Sequence, residues 1–282
     1  MPLWRWILCL LGGIVLFPIL YGLADAGSSL PVSPWVRMAV ALGAGLLGLF
    51  LYAVWTNLTE RRPVTELALS RTWSDLGLGL LLGIGYFAVV VGLMALAGCY
   101  RITEAHFALV PILGAFLKFF CVAVFEELIF RGVLFRLIDD RWNTGVALIV
   151  SALVFGAVHL TNPGATMWSA LAIAIEAGLL LGAAYKWSGT LWLPIGIHWT
   201  WNFVQGNVLG FAVSGNPVSD KIFSAIISGP DWMTGGVFGA EASVPAVVVG
   251  LLLAIAFLVG SKRERKRVNP SNMPCCAPRS RT

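Results

Sequence analysis

Long apolar runs broken by short polar stretches dominate this chain. Runs of about 17 or more apolar residues read as membrane-spanning helices rather than core elements of a soluble domain. On that pattern the expected spans are 3–24, 35–57, 74–98, 108–138, 144–161, 167–186, 190–211 and 244–260. All are expected to be helical, because a helix satisfies its own backbone hydrogen bonds in lipid. The longest polar interruptions are 212–243 and the tail from Ser261. The expected fold class is therefore all-α: a polytopic membrane protein of about eight transmembrane helices with an intramembrane polar site. It divides into N-terminal helices (1–107), a core segment (108–211), and a loop, last helix and basic tail (212–282). Gly79 with Gly83, and Gly178 with Gly182, stand four apart and predict close helix packing.

Composition strengthens this picture. Of 282 residues 58% are hydrophobic and 12% charged, and the mean hydropathy is +0.84. A soluble domain carries about twice that charged fraction. With the N-terminus inside, fifteen of the nineteen basic residues fall on the inner side or in the tail. Arg37, Arg101 and Lys221 fall outside, and Lys118 lies within a span. Basic residues concentrate on the cytoplasmic side, so both termini are expected there, with the plasma membrane as the host bilayer. The run Lys262-Arg263-Glu264-Arg265-Lys266-Arg267 reads as a stop anchor against anionic lipid and gives no support for nucleic-acid binding. Arg5 and Ala24-Asp25-Ala26 also fit a cleaved signal peptide; an uncleaved first helix is the preferred reading. The five cysteines form no disulfide framework, and Cys275 and Cys276 lie in the tail.

Polar groups inside a membrane are functional candidates, because each is costly unless paired or wetted. Here they are Lys118, Glu126, Glu127, Arg131, His159, Glu176, His198 and Asn202. Glu127 and Arg131 stand at i and i+4, so they can pair on one helix face. Glu126 points about 100° away and must find a partner on another helix. A lone buried carboxyl takes up a proton, whereas a nearby imidazole keeps it ionised and useful as a base. His198 and Asn202 share one face, and two donors aimed at one point can hold an oxyanion. Phe155 stands one turn before His159 and gives it an aromatic floor. His159 lies about 10 Å from the middle of its span along an ideal helix, an offset that tilt would have to remove. Span 108–138, roughly 45 Å long, exceeds the ~30 Å hydrocarbon core and should tilt, break or project. His106 reads as a solvated loop residue.

The bland reading of each histidine alone is a satisfied helix–helix contact. Two histidines, an asparagine and a carboxylate pair on three spans point instead to water activated by a carboxylate and an imidazole. Opposed donors would stabilise the tetrahedral intermediate, giving amide hydrolysis without a covalent intermediate. No metal or cofactor is assigned, and a zinc held by two His and a Glu is the mechanistic rival. Lys118 and Glu176 are expected to pair across helices.

Glu126-Glu127-x-x-x-Arg131, Phe155-x-x-x-His159 and His198-x-x-x-Asn202 resemble, in order, the three motifs of the CPBP family. These are the CAAX-protease and bacteriocin-processing (Abi) intramembrane endopeptidases. Ser188-Gly189-Thr190-Leu191-Trp192 is similar to that family's approach to its third motif, and Glu60-Arg61-Arg62 to a basic stretch common in members. The resemblance implies a glutamate-dependent intramembrane protease. It implies Glu126 and His159 as activators of water, His198 and Asn202 as the oxyanion hole, and Glu127 and Arg131 as support. Its partners would be the lipid bilayer and a membrane-associated peptide or protein, prenylated or carrying a leader or sorting signal. A non-proteolytic immunity or scaffold protein of the same fold is the first rival, and a proton-coupled transporter the second.

Overall fold

The apolar runs fold into long helices whose ends are set by local chemistry. The computed structural model describes residues 1–28 and 30–267. Helix α1 is Leu3–Ser28. Helix α2, Pro34–Glu60, opens with the Ser33 hydroxyl accepting the Val36 N–H and with proline in its first turn, where a missing N–H costs nothing. Helix α3 is Thr72–Leu96. Helix α4, Leu109–Glu127, continues through a π-helical stretch, Leu128–Phe135, into α5, Arg136–Arg141. Helix α6, Thr144–Val158, is capped by the Asn143 side chain, and its last residue hands over to a tight turn, His159–Thr161. Helix α7, Met167–Ile173, starts with a Thr166–Ser169 capping box and passes through a second π-helical stretch, Ala174–Leu179, into α8, Leu180–Ser188. Helix α9, Trp192–Phe203, runs into a third, Val204–Val208. The short α10, Asp231–Thr234, precedes α11, Val244–Arg267.

Seven helices among the described residues are long and apolar enough to cross a membrane: Leu3–Gly27, Pro34–Glu60, Thr65–Leu96, Leu109–Arg141, Thr144–Thr161, Met167–Ser188 and Val244–Ser261. The protein is an all-α polytopic membrane protein. Leu46, Phe50, Leu81, Ile149 and Leu252 are exposed on its outside, as a lipid-facing surface requires.

The helix of the expected span 190–211 is shorter than expected. It has 12 α-helical residues and then 5 π-helical ones, about 25 Å against a ~30 Å hydrocarbon core. Almost all of it is buried inside the bundle, whereas the outer helices expose apolar side chains. Hydropathy alone does not separate the two. The polar interruption 212–243 is also more ordered than a loop: Phe223–Ile227 (β2) pairs antiparallel with Tyr100–Ala105 (β1). His106 is exposed beside this ribbon. Cys275 and Cys276 lie outside the described residues.

Glycines let α3 and α9 touch backbone to backbone. A Cβ on Gly79 would come within 2.9 Å of the Gly196 Cα, and one on Gly83 would strike Thr200 Oγ1 and the Ile197 carbonyl. A Cβ on Gly178 would lie 2.7 Å from the Ala152 Cα, and one on Gly182 3.0 Å from Leu148. Both glycine pairs therefore pack, as expected. Above this contact Tyr86 stacks on Trp201, ring centroids 4.1 Å apart.

An ionic cluster joins α2 and the segment after it to the π-helical stretch and α5. Arg136 reaches Glu60 at 2.5 Å, Arg62 bonds Glu66 and Glu60, and the Tyr52 hydroxyl lies 2.6 Å from Glu66 and 2.9 Å from the Gly132 carbonyl. Glu60-Arg61-Arg62 is thus, at Glu60 and Arg62, part of a structural network. Lys186 pairs with Asp139. Replacing Gly83 with Val should lower the thermal midpoint in detergent by the equivalent of at least about 1–3 kcal/mol, the usual cost of overpacking. Gly85→Val, on the open side of the same helix, should leave it unchanged; similar melts for the two variants would contradict the packing described.

Candidate active site

The site is built on the two carboxylates that end α4. Glu127 is wholly buried, and its Oε1 accepts from Arg131 Nη1 at 2.9 Å, one helical turn on. The same oxygen lies 2.8 Å from His198 Nδ1 on α9. An ionised carboxylate only accepts hydrogen bonds, so the His198 proton sits on Nδ1 and its Nε2 is left facing Glu126. Glu126 Oε2 is 3.8 Å from that Nε2, close but beyond a hydrogen bond. The Glu126 side chain is 18% exposed, and its Oε2 has no partner among the described residues. One carboxylate is thus tied down and its neighbour is free to meet a ligand.

Arg131 completes the frame. Its Nη2 donates to the Ala177 and Gly178 carbonyls at 3.0 and 3.2 Å, so it joins α4 to the π-helical stretch between α7 and α8. The Phe155 ring packs 4.8 Å from the guanidinium carbon. On its other sides the same ring meets His159, centroids 4.7 Å apart, and His198, 6.2 Å apart. Phe155 is therefore the common floor of the site. π-Helical turns often mark functional positions, and three of them adjoin these residues.

His159 follows the last residue of α6, where the chain turns toward Pro163 and Gly164. Its Nδ1 is 2.7 Å from the Phe155 carbonyl. A carbonyl only accepts, so Nδ1 carries the proton and Nε2 is the free acceptor. Glu126, His159, His198 and Asn202 all line one cavity of about 880 Å³. The depth offset expected for His159 from ideal helices does not keep it from that cavity. Among the described residues no three or more His, Cys, Asp or Glu side chains are arranged to hold a metal ion.

Lys118 also lines the cavity, whereas Glu176 does not. The expected Lys118–Glu176 pair is absent. Glu176 is fully buried, with its Oε2 2.8 Å from the Tyr86 hydroxyl on α3. A neutral phenol supplies the hydrogen bond that an ammonium was expected to supply, and it is placed by the α3–α9 contact rather than by sequence spacing.

Several cavity residues escaped the sequence reading: Asn162, Asn207, Ser214 and Asn216 from the helix ends and loops, and Tyr21, Asp25 and Arg37 from α1 and α2. Asn162 and Asn207 were findable, being polar residues three and five positions past His159 and Asn202. Ser214 was not. It adopts a left-handed backbone, φ 47°, in a turn closed by Val213 and Asn216. Glu241, buried before α11, accepts the Ser214 N–H and holds that turn against the cavity.

Comparison with known proteins agrees with the motif reading. Residues 108–204 match the model of a family described as "Rce1-like: Type II CAAX prenyl endopeptidase Rce1-like". That segment contains all the residues of the three motifs named above. A curated relative, "Uncharacterized protein YpbD" of Bacillus subtilis (strain 168), is 31% identical over 77 residues, 27% of this chain and 35% of the relative. The chain thus spans about a third of the length of the curated relative it matches. No solved structure matches it.

Two predictions follow from the buried acids. Glu127→Ala leaves Arg131 uncompensated in the bundle and should cost about 3–5 kcal/mol, whereas Glu126→Gln should change the thermal midpoint little; equal losses would mean that Glu127 does not anchor the frame. Burial pushes the Glu241 carboxyl up from 4.5 to about 7, against the hydrogen bonds that Ser214 and Gln205 give it. A carboxyl raised on folding contributes stability that is full below 4.5 and lost as pH climbs through about 7. Melting curves across that window should fall less steeply in Glu241→Gln than in the parent protein.

Proposed function

We propose that this protein is an intramembrane endopeptidase that hydrolyses a peptide bond of a membrane-associated peptide or protein. The observation that carries the reading is Glu126, whose Oε2 takes no hydrogen bond among the described residues, sharing a cavity with the free ring nitrogen of His159, with His198 and with Asn202.

In this mechanism Glu126 and the Nε2 of His159 draw a proton from a water in the cavity, and the hydroxide adds to the scissile carbonyl carbon. The carbonyl π bond opens to an oxyanion, which takes hydrogen bonds from the Asn202 amide and from His198 Nε2. For His198 to donate there it must carry a proton on both nitrogens, and Glu127 holds the ring so that Nε2 points to the cavity. The C–N bond then breaks as the oxyanion reforms a carbonyl, and the proton taken from water passes to the leaving amine. The products are a carboxylic acid and an amine, with no change of oxidation state. Glu127, Arg131 and Phe155 position the reacting groups. The catalytic core is proposed to be 108–211, with α1 and α2 closing the cavity.

The cavity wall runs from the α1–α2 end through the start of α4 to the 213–220 loop. If both termini are cytoplasmic, as the basic residues predict, its mouth opens on the opposite side of the plasma membrane. That side suits exported, leader-bearing or sorting-signal substrates.

The test is cleavage of a mixed membrane-peptide library by purified protein, with and without chelator. Glu126→Gln should abolish detectable turnover, His159→Ala should lower it by about 10²–10⁴-fold, and Asn202→Ala by about 10²–10³-fold, all with chelator inert. Cleavage that persists in Glu126→Gln would sink the assignment, and loss to chelator would move the chemistry to a metal.

A further inference from the structure

His198 and Asn202 are buried in the bundle, whereas His159 stands past the last residue of α6 in a partly exposed turn. No hydrogen bond among the described residues runs from the His159 side chain to α9. The turn at 212–216 connects the two. At one end the Gln205 amide, three residues past Asn202, donates to the Ala212 carbonyl at 2.6 Å. At the other end lies Pro163, four residues past His159. Gly215 lies so close to it that a Cβ there would strike the Pro163 carbonyl. Val213 and Asn216 close the turn with two backbone bonds, of 3.0 and 2.9 Å. The segment 238–241 then fastens it. The Gly215 N–H donates to the Phe238 carbonyl at 2.7 Å, and the Ser214 N–H donates to the Glu241 carboxylate, which is 1% exposed. A Cβ on Gly239 would strike the Ala212 carbonyl.

We propose that Glu241 and Gly215 are positioning residues for His159. Through the 212–216 turn they fix how far the His159 ring stands from Glu126 and from the His198–Asn202 pair. The effect on rate rests on the endopeptidase reading; the effect on His159 does not. Ser214 holds a left-handed backbone, φ 47°, that residues other than glycine seldom adopt. Such a conformation persists where its surroundings hold it, and here the holding contact is the Glu241 carboxylate. Without that acceptor the Ser214 N–H is buried unpaired, and the turn shifts to satisfy it. Pro163 moves with Gly215, because the two backbones already touch. A displacement of about 1 Å at a reacting group, caused from a distance, can cost about 10²-fold in rate. Glutamine at 241 still presents an oxygen to the Ser214 N–H, so the proposal turns on the acceptor and not on the charge.

The test uses the purified full chain in dodecyl maltoside, well below the melting midpoint of every variant. The first readout needs no substrate. Diethyl pyrocarbonate modifies free imidazole nitrogens, and mass spectrometry follows its rate at His159 against exposed His106. Glu241→Ala should raise the His159 rate at least about threefold by loosening the turn, and Glu241→Gln should leave it near that of the parent. The second readout is cleavage of one N-lauroylated decapeptide that the parent cuts at a single bond. Glu241→Ala and Gly215→Ala should each lower kcat about 10–100-fold with KM nearly unchanged, and Glu241→Gln should keep most of kcat. In a His159→Ala background, Glu241→Ala should have no further effect on the residual rate. Gly215→Ala leaves Glu241 in place, so the proposal can be refuted even where Glu241→Ala does not fold. Unchanged kcat in the folded variants, or an equal loss in the His159→Ala background, overturns the proposal and leaves the endopeptidase reading intact. So does a His159 modification rate that tracks His106 in every variant. A parent protein that cuts nothing removes the endopeptidase reading, and the modification rates then decide the link to His159 alone.

Discussion

Everything in the site hangs on the Glu127 carboxylate, held between Arg131 and His198 in the interior of a membrane bundle. A charge there is unaffordable alone. It is tolerated because Arg131 sits one turn away on the same helix and because the guanidinium's second terminal nitrogen donates to two backbone carbonyls of a neighbouring helix. Replacing such an ion pair with apolar residues is often neutral for stability, whereas breaking it is not. Its value here is geometric. It fixes which nitrogen of His198 bears a proton and which faces the cavity, and it clamps α4, α9 and the α7–α8 helix together around Phe155.

The two polar regions of the bundle differ in kind. The cluster of Glu60, Arg62, Glu66, Arg136 and Tyr52 is saturated with internal partners, and it braces α2 against the α4–α5 helix. The cavity region holds groups with capacity to spare: Glu126, the free nitrogens of two histidines, Asn202 and Lys118. A fold that pairs its charges in one place and leaves them unpaired in another has room for a polar ligand only in the second. The glycine contact between α3 and α9 matters for the same reason. By bringing the two backbones together it seats the helix that carries His198 and Asn202 in the middle of the bundle.

What could be read in advance followed from locality. Glu127 and Arg131 are neighbours on any α-helix, so their pair was legible from spacing alone. Gly79 and Gly83 announced a close contact, though not that Gly196 and Thr200 would meet them. The i, i+4 spacing of His198 and Asn202 placed both on one face without revealing what that face would see. The Lys118–Glu176 pair failed because a buried carboxyl can be satisfied by any donor, and Tyr86 reached it first from a helix ninety residues earlier. The helix of Trp192–Phe203 read as a span, but its nearly complete burial was not legible, because hydropathy measures apolar content, not what the apolar surface touches.

The sequence by itself determined the membrane class, the helical architecture, the close-packing glycines and the set of residues able to do chemistry. These depend on the cost of burying backbone and charge in lipid, which is the same whatever the neighbours are. Only the tertiary structure decided that Glu127 would serve His198 while Glu126 stayed free, that His159 would reach the same cavity from the end of its helix, and that Glu241 would hold the Ser214 turn in place. Those outcomes depend on which side chains meet across helices. Such meetings are set by the packing of the whole bundle and leave no periodic trace along the chain.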